Sequence, residues 1–131
     1  MALPEATVGL LPCAGGSQWL SWQVGEAWAK RLILCGERID APTALRIGLV
    51  QEVVPRKQSL ERALELAKLV ERQSPTSVAA CKKLIHGART GSPFATLTAE
   101  RAAFVDLFDT QDQREGVSAF LDKRTPVWRN A

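Results

Sequence analysis

The chain has 131 residues, a length that suits one domain. Hydrophobic residues make up 46% and charged residues 24%, enough apolar surface for a core, which excludes a disordered chain. Seventeen Lys and Arg against fourteen Asp and Glu leave a net +3 with the two signs interspersed, so nucleic acid is not the expected partner, and RNA binding ranks third among the readings.

No apolar run approaches the ~20 residues of a membrane span. Residues 1–5 carry neither the basic nor the apolar region of a signal peptide. Cys13, Cys35 and Cys81 are widely spaced, form no Cys-x-x-Cys and share the chain with one histidine, His86. That pattern argues against a metal site and for a reducing compartment, with the cytoplasm as the expected location.

In chain order, Ala2 and Leu3 read as the end of a strand. Residues 4–16 hold Pro4, Pro12, Gly9, Gly15 and Gly16, which enforce an irregular backbone able to present a carboxylate, Glu5, and bare N–H groups to a small ligand. By itself such a segment reads as a surface loop feeding a helix. Leu20, Val24, Ala27, Trp28, Leu32 and Ile33 recur at helical spacing over residues 17–34, with Gly25 dividing the run and Cys35-Gly36 ending it. Asp40 caps a short helix over 41–47, in which Pro42 is tolerated near the start. Residues 49–54 are the one persuasive internal strand, closed by Pro55.

Residues 59–73 read as an amphipathic surface helix, with Leu60, Ala63, Leu64, Ala67 and Val70 on one face. Ser74-Pro75 opens a helix through Ala88. Gly91-Ser92-Pro93 opens another, with Phe94, Leu97, Arg101, Phe104 and Phe108 along one side. The Trp28/Leu32 and Phe104/Phe108 pairs read as core or interface. Thr110 and Gln113 fit a capping box for a final helix ending by Lys123-Arg124, and residues 125–128 read as an extended tail. The fold class is mainly α with minimal β.

Pro4-Glu5, a short spacer, Gly9-Leu-Leu-Pro12 and Ala14-Gly-Gly-Ser-Gln18 together resemble the signature of the crotonase (enoyl-CoA hydratase/isomerase) superfamily. The resemblance continues through residues 38–54, with their Gly48-Leu49-Val50 turn, and through residues 114–124. It implies the C-terminal half of a crotonase-like ββα spiral fold, because the family carries the Pro-Glu motif near mid-chain. Residues 1–55 would be the end of the spiral core with its active-site loop and following helices. Residues 56–131 would be the helical region used for trimer and CoA contacts.

What the resemblance implies for chemistry is specific. Glu5 would be the catalytic acid/base at an acyl-CoA site, with Leu3, Pro12 and Cys13 lining the substrate pocket and Phe120 and Lys123 contacting the nucleotide end of CoA. CoA is then part of the substrate, and no further cofactor or metal is expected. Two departures stand out: Cys13 occupies a position where many members have glycine, and Trp19 one where many have arginine.

The family's second glutamate and oxyanion N–H groups lie upstream of Pro-Glu, so the chain alone is expected to be inactive as a hydratase. Isomerase, hydrolase or decarboxylase chemistry on the same scaffold is the alternative within the family. A truncated, non-catalytic oligomerisation module is the alternative outside it. A homo-oligomer is expected, either the family's trimer or dimer of trimers or a domain-swapped form. His86 and the Lys82-Lys83 pair read as solvated.

Overall fold

A computed structural model describes the backbone of residues 1–131 and the side chains of all but Pro93. After a 3-10 turn over Glu5–Val8 come six α-helices among the described residues: α1 (Gly16–Leu34), α2 (Ala41–Arg46), α3 (Ser59–Glu71), α4 (Pro75–Gly87), α5 (Pro93–Leu107) and α6 (Gln111–Leu121). The chain divides into two compact units, Met1–Gln58 and Ser59–Ala131.

The helices start where polar side chains satisfy free N–H groups. Asp40 Oδ1 accepts from Thr43 N–H at 2.9 Å, Ser74 Oγ from Ser77 N–H at 3.3 Å and Ser92 Oγ from Ala95 N–H at 3.4 Å. Thr110 Oγ1 accepts from Gln113 N–H at 3.1 Å, but Thr110 N–H donates to Leu107 O instead of to the Gln113 side chain. Half of the expected capping box forms.

Gly25 divides α1 as expected. Its φ of 79° and ψ of 161° lie in a region essentially restricted to glycine. A Cβ there would meet no atom within 4 Å, so the cost of Gly25→Ala is one of backbone conformation alone. It is expected to destabilise the chain by about 1–3 kcal/mol in urea denaturation; an unchanged midpoint would show that α1 straightens without loss.

The expected strand over residues 49–54 is a correction, as is the strand end at Ala2-Leu3. No strand occurs among the described residues. Leu49 and Val50 N–H both donate to Ala44 O, at 2.9 and 3.3 Å, which turns the stretch back onto the end of α2. Leu49, Val50, Val53 and Val54 make a segment suited to a sheet, but a ladder requires a second backbone whose N–H and C=O groups face it. A local two-way pairing does occur at the start of the chain. The Met1 ammonium donates to Ile39 O at 2.7 Å, and Ile39 N–H donates back to Met1 O at 3.0 Å.

The core of the first unit is Leu20, Ala29, Leu32, Ile39 and Ala44, with Trp28 and Leu3 among the half-buried residues packed on it. In the second unit α4 packs against α5. Residues 59–73 form a helix as expected, but its apolar face stays uncovered by the described residues: α3 buries none of its residues. Phe104 and Phe108 stack edge-to-face at 5.1 Å while remaining more than half exposed, which rules out a core position within this chain.

Candidate active site

Glu5 sits on the 3-10 turn because Pro4 O accepts from both Thr7 N–H and Thr7 Oγ1, at 2.9 and 2.7 Å. Gly9, at φ 75°, closes the turn by donating to Ala6 O. The Glu5 side chain is half-buried. Its Oε2 is shielded from solvent and has no hydrogen-bond partner among the described residues. An unpaired buried polar atom costs about 1–3 kcal/mol and more when charged, so this oxygen is expensive structurally and chemically available.

The loop after Glu5 is built for close approach. Pro12 is buried, and a Cβ on Gly16 would lie 2.9 Å from Pro12 Cβ and 3.9 Å from Leu3 Cδ1. Glycine at 16 therefore lets the start of α1 seat against both residues. Gly15, at φ 81°, lies under the Trp19 ring, whose Cδ1 would be 2.5 Å from an added Cβ. Trp19 in turn meets Trp22 edge-to-face at 5.1 Å, both about half exposed. Gly16 N–H is spent on Cys13 O at 3.0 Å, whereas the N–H groups of Leu11, Cys13, Ala14 and Gly15 have no partner among the described residues. Cys13 itself is exposed, as are Cys35 and Cys81, and all three are free thiols.

Leu3 is half-buried and lines an apolar cavity of about 210 Å³ with Met1, Ala2, Leu20, Leu32 and Leu49. In the second unit Phe120 is 82% exposed near the end of α6. Lys123 follows it with φ at 56°, its N–H on Phe120 O at 3.3 Å. The Lys123 ammonium has no partner among the described residues. Both side chains project from one helix end without packing on the protein. His86, Lys82 and Lys83 are exposed. No cluster of three or more His, Cys, Asp or Glu able to hold a metal occurs among the described residues, and none of their helices is long and apolar enough to cross a membrane.

Two carboxylates escaped the sequence reading. Asp112 is 1% exposed and receives the returning tail. Glu115 is held by both nitrogens of Arg124, at 2.6 and 3.0 Å, and by Val127 N–H at 2.8 Å. The Arg124 guanidinium and the Val127 N–H together pull the Glu115 carboxyl down to about 2. A folded value below the ordinary 4.5 means that the contact contributes above about pH 4.5 and is lost as pH falls toward 2. The Val127 amide proton resonance is expected to titrate near pH 2; a midpoint at the ordinary carboxylate value would show that the clamp does not hold in solution. Spacing alone could not have found either residue, because both meet a segment that returns after the helix ends.

With these features in place, comparison with known proteins is decisive at the level of class: the chain belongs to the enoyl-CoA hydratase/isomerase family, whose model matches residues 1–131. Among relatives, it is 44% identical over 127 residues to a 2,3-dehydroadipyl-CoA hydratase of Escherichia coli, covering 97% of this chain and 50% of that protein. Among solved structures, DspI of Pseudomonas aeruginosa superposes with a TM-score of 0.95 at 63% identity, over 98% of this chain and 49% of that one. An enoyl-CoA hydratase of Bacillus anthracis gives 0.93 at 35%, over 98% and 50%. The chain thus spans about half the length of the relatives it matches. The matches do not support the placement in the C-terminal half that motif order suggests.

Proposed function

We propose that this chain carries one wall of an enoyl-CoA hydratase active site, with Glu5 as its acid/base carboxylate. The observation that carries this reading is the shielded, unpaired Glu5 Oε2 on a loop that also leaves the Cys13 N–H free. Adding water across the double bond of a 2-enoyl thioester needs a base for the water, an acid for the α-carbon and donors for the thioester oxygen. Glu5 is the sole carboxylate in residues 1–25. In this reading the second carboxylate and the oxyanion donors come from the remainder of the family fold, beyond the half that this chain spans, and the chain alone is inactive.

In this reading Leu3 and Pro12 back the acyl pocket. Phe120 packs on the adenine of CoA and Lys123 meets a phosphate, which suits an exposed ring beside an unpaired ammonium. CoA enters with the substrate, and no other cofactor is invoked. Assembly as a homo-oligomer accords with the uncovered apolar faces of α3 and α5. The three exposed free thiols accord with the cytoplasm.

The test places this chain in the Escherichia coli relative in place of the segment it matches and follows loss of the enoyl-thioester absorbance. The chimera is expected to hydrate a 2-enoyl-CoA and sediment as an oligomer, while the isolated chain turns nothing over. Enzyme-like hydration by the isolated chain would overturn the half-site reading, and a folded but inactive chimera would overturn the hydratase reading.

A further inference from the structure

We propose that the cleft between α6 and the tail that follows it is a binding site for a phosphate dianion. The cleft is an open groove of about 570 Å³, and its charged and polar lining is Gln111, Arg114, Glu115, Ser118, Arg124 and Arg129. Three arginines and one glutamate thus line the cleft, with Asp122 beside Arg124 at 3.5 Å. The Glu115 carboxylate is saturated by Arg124 and the Val127 N–H, and Arg124 is further engaged by Ser118 Oγ at 3.2 Å and by Asp122. Arg124 is therefore committed to holding the tail.

Arg114 and Arg129 are not committed. Neither guanidinium has a hydrogen-bond or ion-pair partner among the described residues. The Arg129 charge also helps to hold Glu115 ionised. Two unspent arginines lining one concave site match the charge of a phosphate, and each can donate two parallel N–H···O bonds to it. A monocarboxylate would use one fork and leave the other unmatched. A nucleic acid would need an extended basic track, which a chain of net +3 with interspersed signs does not offer. The inference does not rest on the role of Glu5.

The phosphate group has two sources, a free phosphate or phosphomonoester and the 3′-phosphate of CoA. The test titrates the full 15N-labelled chain with inorganic phosphate at low salt and follows the arginine Nε resonances. Saturable shifts of Arg114 and Arg129 are expected, with a Kd of about 1 mM. Arg114→Gln with Arg129→Gln should weaken binding about tenfold or more, since each removes a charge-assisted contact. Lys68→Gln with Lys82→Gln makes the same change in net charge on other helices and should leave binding unchanged. Circular dichroism checks that both pairs fold. No saturable shift, or equal weakening by the lysine pair, would overturn the site. Parallel titrations with CoA and dephospho-CoA identify the source: a response to CoA alone assigns the 3′-phosphate, absent responses to both assign free phosphate, and equal responses would overturn both sources in favour of the diphosphate that the two share.

Discussion

Glu5→Gln, made in the active chimera, is expected to lower kcat by about 10²–10⁴-fold, the range for losing a positioned general acid or base. The amide keeps the shape of the carboxyl and its place on the 3-10 turn, so folding should be unchanged. What it removes is the capacity to take or give a proton at the oxygen that is shielded and unpaired. KM should change much less than kcat, because the proton-transfer step is felt in the transition state more than in binding. Glu5→Asp retains the proton chemistry but withdraws the carboxyl by one methylene, so partial activity is expected from it. Wild-type turnover by Glu5→Gln would sink the catalytic assignment while leaving the family assignment intact.

Asp112→Ala is expected to be the most destabilising single change in the second unit. Asp112 is 1% exposed. One carboxylate oxygen accepts from Arg129 and Asn130 N–H, at 2.8 and 3.2 Å; the other from Ser74 Oγ and Thr76 Oγ1, at 3.2 and 3.4 Å. Asp112 N–H also donates to Ala131 O at 3.0 Å. One side chain thus ties the tail and the start of α4 to the start of α6. Removing it strands two backbone donors and one hydroxyl, since Ser74 Oγ and Thr76 Oγ1 can pair with each other at 2.9 Å, a loss of about 3 kcal/mol after allowing for the relieved desolvation of the carboxylate. In a unit of this size that corresponds to a fall in Tm of about 10–20 °C by circular dichroism. Asp112→Asn keeps an acceptor and should fall between. A Tm within about 2 °C of the wild type would show that the network contributes nothing net.

The tail shows where sequence reading stops. Thr125-Pro126-Val127-Trp128 carries extended backbone character that is legible in one dimension. Its destination is not: Trp128 Nε1 donates to Arg72 O at 2.9 Å, a residue at the end of α3. Gly116 likewise looks like a weak point inside a helix. It is glycine because the Trp128 ring sits where a Cβ would come within 3.2 Å. Gly15 and Gly16 looked like parts of a ligand loop, and in the fold they also admit Trp19 and Pro12 to close contact, with the Gly16 N–H spent on Cys13 O.

By itself the sequence determined the helices, their caps and the family. These depend on local events, such as a hydroxyl or carboxylate reaching an N–H three residues on, glycine admitting φ 79° at residue 25, and a motif of fixed spacing around Glu5. The tertiary structure decided what long-range contacts decide. Leu49 and Val50 turn onto Ala44 O, and residues 49–54 pair with no neighbouring strand among the described residues, because a ladder takes two backbones. Asp112 becomes a buried hub, because only a returning chain can bring it donors from residues 129 and 130. Glu5 Oε2 ends shielded and unpaired, because the fold encloses that oxygen without supplying it a donor.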